Sequence, residues 1–179
     1  MLKTVLLTVA AILATGIVVV LILAAMKPDT FSLQRSLAIN APPERVFPLI
    51  NDFKNWARWS PWEKLDPNLR RNYDGAPAGV GSVYAWEGDK KVGQGRMEIV
   101  EAVPASKVAL KLDFIKPFEA HNLVTFALEP AGSATNVTWT MAGPKPFIGK
   151  IFHVFVNMDR MVGGEFEKGL ADMKAAAEG

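Results

Sequence analysis

The hydrophobic pattern of the chain changes its period near Pro146, and this change limits the folds that the chain can adopt. Before Pro146, short segments alternate apolar and polar side chains and are separated by Gly, Pro, Asp or Asn, which is typical of strands. After Pro146, apolar residues recur at steps of three or four, which is typical of a helix. Adjacent strands followed by one helix predict an α+β domain with an antiparallel sheet.

Six segments carry the strand pattern. The first begins at Phe31, and the other five lie between residues 81 and 143. Alternation places the apolar side chains on one face of the sheet, while residues such as Lys111 and Asp113 face solvent. The residues predicted on the apolar face are Tyr84, Trp86, Met97, Ile99, Leu110, Leu112, Phe126, Trp139 and Met141.

The segment after Pro146 is predicted to form one long helix. Adjacent glycines weaken a helix interior, so a kink is expected at Gly163-Gly164. A curved sheet cannot fill its own concave face, and we therefore expect this helix to lie across that face and to leave a cavity. The apolar positions of the helix are Phe147, Ile151, Phe155, Met158, Val162, Phe166, Leu170 and Met173.

The N-terminus contains 23 consecutive uncharged residues, from Thr4 to Met26, flanked by Lys3 and Lys27. A membrane-spanning helix needs about 20 apolar residues, whereas the apolar region of a cleaved signal peptide usually has about 7–15. The pattern therefore predicts a retained single-pass anchor over residues 1–27. A short linker over residues 28–30 and one domain over residues 31–179 follow it.

The charges around this anchor decide little about its orientation. Lys3 lies on one side, and Lys27 and Arg35, offset by Asp29, lie on the other. The usual behaviour of an N-terminal signal anchor favours a domain on the extracytoplasmic (periplasmic) face. The three-residue linker reaches only about 10 Å, so the domain is expected to sit against the bilayer surface.

Composition excludes several classes of function. The formal net charge of +2 corresponds to Lys3 and Lys27, which flank the apolar run, so the rest of the chain is neutral. A neutral domain without a basic run is a poor nucleic-acid binder. The chain has no cysteine, and neither His121 nor His153 has a second ligand at a metal-binding spacing. No metal, other cofactor or nucleic-acid partner is predicted, and no protein partner is identified.

Three tryptophans stand three residues apart in NWARWSPWEK, residues 55 to 64. The preceding segment NAPPERVFPLINDF, residues 40–53, predicts a short amphipathic helix. Pro61 disfavours the helical conformation of Ser60, so this first short helix must end near Trp59. Ser60 as N-cap and Glu63 three residues later match a capping box and predict a second short helix. These tryptophans plug the core, line a cavity mouth or contact the bilayer, and the pattern leaves the three interpretations open.

The order of elements and four stretches resemble the SRPBCC (START-like, helix-grip) superfamily. The stretches are INAPPERVF at 39–47, WSPW at 59–62, GRMEI at 95–99 and MDRMVGGEFEKGL at 158–170. Within that superfamily the chain is similar to bacterial polyketide cyclase/dehydrase-like proteins with an N-terminal anchor. The resemblance covers residues 31–178 and implies a hydrophobic cavity between a curved antiparallel sheet and the long C-terminal helix.

Three functions follow from these observations, in decreasing order of support. The first is a membrane-anchored binding protein for a small hydrophobic molecule, such as a lipid, an isoprenoid or a polyketide-like compound. The second is a protein-interaction module of the cell envelope, and the third a cyclase or dehydratase that uses Tyr84 with His121 or Asn122. His121 itself is interpreted as a surface or rim residue, and no catalytic residue is assigned. The expected cavity lining is Trp59, Trp62, Tyr84, Trp86, Met97, Ile99, Leu110, Leu112, Phe126, Trp139, Met141, Phe155, Met158 and Val162.

Overall fold

The computed structural model describes the backbone of residues 1–179 and every side chain except those of His153 and Met158. Four α-helices are present: α1 (Leu2–Ala25), α2 (Pro43–Asn51), α3 (Phe147–Phe155) and α4 (Met158–Glu178). Two short 3₁₀ helices, Phe53–Arg58 and Pro61–Lys64, follow α2. The strands are β1 (Thr30–Ile39), β2 (Arg70–Gly75), β3 (Ser82–Glu87), β4 (Gln94–Val103), β5 (Lys107–Lys116), β6 (Ala120–Ala131) and β7 (Ala134–Pro144).

The chain divides into two compact units. The sheet unit comprises Ser32–Gly143 and Asp159–Gly179, and the helical unit comprises Met1–Phe31 and Pro144–Met158. The sheet unit thus contains nearly all of the sheet together with α4, whereas the helical unit contains α1 and α3. The predicted domain boundaries at residues 27 and 31 stay a prediction.

The seven strands form one sheet in the order β1-β7-β6-β5-β4-β3-β2. The pairs from β2 to β7 along this order are antiparallel, and the predicted helix-grip fold is confirmed. The six predicted strands are present, but β2 was not predicted. Its sequence, RRNYDG, is exposed at every position, so it lacks the apolar alternation that reveals a half-buried strand.

Helix α4 packs on the inner face of the sheet through residues spaced at three or four: Phe166, Leu170, Met173 and Ala177 are buried. Helix α4 runs unbroken through Gly163 and Gly164, and the expected kink there stays a prediction. A side chain at Gly163 would collide with the guanidinium of Arg35. That guanidinium pairs with Asp159 and Glu167 at 3.0 and 2.7 Å, so the glycine makes room for an ion-pair cluster.

The C-terminal segment forms two helices, and the prediction of one long helix is wrong. Val156 takes an extended conformation (φ −116°, ψ 127°) and ends α3. Asn157 precedes the first residue of α4, a position that favours asparagine. Because α3 does not continue into α4, the apolar positions before and after Val156 do not form the single helix face that was predicted. Phe155 is 71% exposed and belongs to the helical unit, and its assignment to a cavity lining stays a prediction.

The tryptophan-rich stretch runs through both 3₁₀ helices, and the break between them lies at Trp59 and Ser60, as expected from Pro61. Trp56 and Trp59 are buried, and their indole N–H groups donate to the carbonyls of Ile50 and Leu49 at 3.0 and 2.7 Å. Both rings therefore lie in the core and tie the stretch back to α2. The predicted capping box is wrong, because the Glu63 carboxylate bonds to side chains of the sheet instead.

In the helical unit, α1 has 24 residues and is long and apolar enough to cross a membrane. At 1.5 Å per residue it spans about 36 Å, against about 30 Å for a hydrocarbon core. It contacts α3, and Asp29 joins the two by pairing with Lys150 at 2.5 Å. Hydrogen bonding to Lys150 lowers the pKa of the Asp29 carboxyl.

Replacing Trp59 by alanine removes a fully buried indole, and we expect a loss of about 3–5 kcal/mol in the free energy of unfolding. Urea unfolding of the full chain in mild detergent, followed by far-ultraviolet circular dichroism, measures this loss. The control, Phe118→Ala, truncates a side chain that is 81% exposed and should cost less than about 0.5 kcal/mol. Similar small losses in both variants would contradict the placement of Trp59 in the core.

Candidate functional site: the interior between the sheet and α4

The inner face of the sheet carries most of the residues predicted to line a cavity. Those that are buried in the structure are Trp59, Tyr84, Trp86, Met97, Ile99, Leu110, Phe126, Trp139 and Met141. Trp62, Leu112 and Val162 are half-buried. The side chain of Met158 lies outside the described part of the structure. Whether these residues line a ligand cavity stays a prediction, but they do share one interior.

Trp139, at the middle of β7, is the centre of an aromatic cluster. Phe166 of α4 stacks on it with ring centroids 4.0 Å apart and an angle of 11° between the rings. Phe126, Trp59 and Trp62 surround the same indole at 4.9, 5.4 and 5.8 Å. The cluster therefore joins the sheet, the tryptophan-rich stretch and α4 at one point.

Three buried side-chain polar atoms lack a hydrogen-bond partner among the described residues: Trp139 Nε1, Glu165 Oε2 and Asn51 Oδ1. Of these, Trp139 Nε1 belongs to the aromatic cluster of this interior. Trp139 is 3% exposed, and Glu165 immediately precedes Phe166, which stacks on the same indole. A buried donor without an acceptor costs about 1–3 kcal/mol, a cost that an acceptor atom placed against Trp139 Nε1 would remove. Sequence alternation placed Trp139 in the interior but gave no sign of its unpaired N–H.

A second polar group lies where the short helix Pro61–Lys64 meets β2 and β3. The hydroxyl of Tyr84 donates to Glu63 Oε1 at 2.5 Å, and Nε of Arg71 donates to Glu63 Oε2 at 2.6 Å. Arg71 also bonds to the carbonyl oxygens of Glu63 and Leu69. The Glu63 side chain is only 5% exposed, so a buried carboxylate is present with both oxygens bonded.

The surroundings of Tyr84 oppose its ionisation. Burial and the hydrogen bond to Glu63 raise the pKa of the Tyr84 hydroxyl well above its usual range. Tyr73 stacks on Tyr84 at 5.2 Å, and burial raises its pKa as well. Tyr84 is therefore a neutral hydrogen-bond donor at ordinary pH.

Sequence reasoning missed the buried carboxylate of Glu63 and its partner Arg71 on the exposed strand β2. Glu63 was assigned to a capping box because its spacing from Ser60 fits that motif, and Arg71 lies on the strand that was not predicted. The available signal was the charge of Glu63 inside an aromatic stretch, since a carboxylate there needs a cationic partner. Nothing local in the sequence indicates that Arg71 is that partner.

An outer pocket of about 240 Å³ adjoins this group. Phe53 and Tyr73 line it, and both rings also contact the ring of Tyr84. Its remaining lining residues are Asp52, Lys54, Asp74, Gly75, Ala76, Pro77 and Ser82.

The residues suggested for catalysis do not converge. Tyr84, Met97, Leu112 and Asn122 follow one another across β3, β4, β5 and β6 in a single cross-strand row. Three strand spacings separate Tyr84 from Asn122, which is about 14 Å between their backbones. His121 lies on the other face of β6, where it is exposed and pairs with Asp113 at 2.7 Å. That hydrogen bond, followed by one to Glu119, raises the pKa of His121.

Among the described side chains, no group of three or more His, Cys, Asp or Glu residues is placed to hold a metal ion.

The Tyr84–Glu63 contact predicts a specific titration. The chain has two tyrosines, so Tyr73→Phe leaves Tyr84 as the only one. Tyrosinate absorbance should then appear only at a pH well above 10.0, and Glu63→Gln should lower the pKa of Tyr84 by removing the adjacent negative charge. The control, Glu87→Gln, breaks an exposed pair with Arg70 and should leave the titration unchanged.

The same contact predicts a pH dependence of stability. Because the pKa of Tyr84 is higher in the folded chain than in the unfolded chain, its contribution is present below pH of about 10 and is lost as the pH rises further. Tyr84→Phe in the Tyr73→Phe background should flatten this decline in the free energy of unfolding. An equally steep decline in that variant would contradict the assignment.

Comparison with known proteins identifies the family. The sequence profile described as "Polyketide cyclase / dehydrase and lipid transport" matches residues 30–178. No curated protein matches the chain at a significant level.

Solved structures share the fold at low sequence identity. A protein from Chromobacterium violaceum is 18% identical with a TM-score of 0.59, covering 86% of this chain and 99% of its own. The major latex-like protein of Panax ginseng is 15% identical with a TM-score of 0.60, covering 83% and 97%. The Aha1 dimer from Colwellia psychrerythraea is 14% identical with a TM-score of 0.58, covering 83% and 96%.

With a profile match over nearly all of the chain beyond α1, the protein belongs to the polyketide cyclase/dehydrase and lipid transport family of helix-grip proteins.

Proposed function

We propose that the protein is a membrane-anchored binding protein for a small hydrophobic molecule, held between the inner face of the sheet and α4. The ligand class is a lipid, an isoprenoid or a polyketide-like compound. The family description, which includes lipid transport, supports this proposal.

The Trp139 N–H, which has no hydrogen-bond partner among the described residues, is the observation that carries the proposal. The indole lies among aromatic and aliphatic side chains, so an entering molecule must be largely apolar. The N–H favours a molecule that also carries an acceptor oxygen, such as a carbonyl or a carboxyl group. Ligand sites commonly combine an apolar lining with a few polar atoms that set orientation.

Met97 and Met141 make the inner face of the sheet adaptable to ligands of different shape. Both side chains are 7% exposed and lie on β4 and β7. Methionine side chains are flexible and polarizable, and they adjust to irregular apolar partners. An interior of this kind suits a ligand with a variable hydrocarbon body.

The N-terminal helix supports a membrane as the source of the ligand. We propose that residues 1–27 anchor the chain, that residues 28–30 link it to the domain over residues 31–179, and that the domain lies on the extracytoplasmic face. The linker spans about 10 Å at most, so the binding domain remains near lipids. A membrane-derived ligand is then always available at high local concentration.

The family description also covers enzymes. Acid–base chemistry in this interior would have to use Glu63 and Tyr84, which are already bonded to each other and to Arg71. These bonds hold the short helix Pro61–Lys64 against β2 and β3, which is a structural role, and we assign no reaction to them.

Native mass spectrometry of the full chain, released from detergent micelles, tests the proposal. We expect a stoichiometric apolar compound bearing an acceptor oxygen to co-purify. Trp139→Phe keeps an aromatic ring but removes the N–H, and we expect it to reduce occupancy by about tenfold, the effect of about 1.4 kcal/mol.

Trp56→Phe is the matched control, because it makes the same change in volume at a buried tryptophan outside the expected lining, whose N–H is already bonded to the carbonyl of Ile50 at 3.0 Å. Its occupancy should match that of the unsubstituted protein. A chain that carries no apolar compound, or equal occupancy in Trp139→Phe and Trp56→Phe, would count against the proposed site.

A further inference from the structure

Helix α3 exposes large apolar side chains to an unusual degree. Ile148 is 76% exposed, Phe155 71% and Phe147 48%. Its sequence, FIGKIFHVF, contains no acidic residue. Several large apolar side chains exposed on one nine-residue helix are a mark of an interaction site.

The contact of α3 with α1 indicates what this surface meets. The two helices belong to one compact unit and pack against each other. Within α1, Ala24 is buried and Val20 is half-buried, while most of the other residues are exposed. The covered positions are therefore the last two turns of α1, close to its junction with Lys27.

The depth of this contact matches the interface of a bilayer. Ala24 and Val20 precede Lys27 by three and seven residues, which corresponds to about 5 and 10 Å along a helix axis. Amphipathic helices that lie in a membrane surface bury their apolar face to about 5–10 Å. A helix that packs on these turns of a membrane-spanning α1 is therefore placed at the boundary between headgroups and acyl chains.

The charges of α3 are compatible with this position. Lys150 pairs with Asp29 at 2.5 Å, so its charge is compensated beside the end of α1. The backbone N–H of Lys145 donates to the carbonyl of Asp29 at 2.6 Å, which fixes the approach to α3 at the same point. An ion pair and a backbone hydrogen bond thus hold α3 next to α1.

We propose that α3 is an in-plane membrane helix, with Phe147, Ile148 and Phe155 inserted among the lipid acyl chains. The partner is the bilayer itself. This inference rests on α1 crossing the membrane, but it does not require that the sheet unit binds a ligand. The C-terminal part of the chain then contributes α3 to the membrane and α4 to the sheet unit.

Site-specific fluorescence in vesicles tests this placement, because the chain has no cysteine and accepts a single label. Ile148→Cys, labelled with a nitrobenzoxadiazole dye, is reconstituted as full chain into phosphatidylcholine vesicles. Lipids brominated near the headgroup should quench it more than lipids brominated near the chain end. Aqueous iodide should quench it several-fold less than a label at Ser133→Cys, in the exposed turn between β6 and β7.

Two further labels complete the experiment. Leu13→Cys, in the middle of α1, should be quenched most by the deeply brominated lipid, and Phe155→Cys should behave like Ile148→Cys.

Iodide quenching at position 148 equal to that at position 133 would overturn the proposal. Protection from iodide without quenching by either brominated lipid would also overturn it, since a protein or a second copy would then cover α3. Absence of lipid quenching at position 13 would show that α1 does not cross the bilayer, and the placement of α3 in the membrane would be overturned with it.

Discussion

The stack between Phe166 and Trp139 is the contact on which the rest of the sheet unit depends. It joins α4 to the sheet at 4.0 Å, and Trp59 and Trp62 close around the same indole. Arg35 and Lys64 pair with Asp159 and Asp172 of α4, one before and one after Phe166. The ring of Trp139 packs against its aromatic neighbours, while its N–H has no hydrogen-bond partner among the described residues, and the proposed binding of an apolar molecule with one acceptor rests on this difference.

The inner face of the sheet was predictable because alternation is a local property. Tyr84, Met97, Ile99 and Trp139 lie where period two places them, and Pro61 separates the short helices as its fixed geometry requires. The Glu63–Arg71 pair could not be predicted, since its partners come from a capping-like turn and a wholly exposed strand. Local patterns do not encode which buried charge meets which cation.

The division of the C-terminal segment into α3 and α4 also escaped prediction. A period of three to four residues continues across Val156, but the extended backbone of that residue breaks the helix. The apolar positions before and after the break therefore serve different surroundings. Those of α4 face the sheet, and those of α3 belong to the unit that contains α1.

Indole NMR of the full chain, labelled with ¹⁵N at tryptophan, tests the central claim about the interior most directly. The N–H groups of Trp56 and Trp59 already donate to carbonyl oxygens, whereas Trp139 Nε1 has no partner among the described residues. Reloading delipidated protein with its co-purified apolar compound should shift the Trp139 indole proton downfield and leave the signals of Trp56 and Trp59 in place. An unchanged Trp139 signal in the loaded protein would contradict the account.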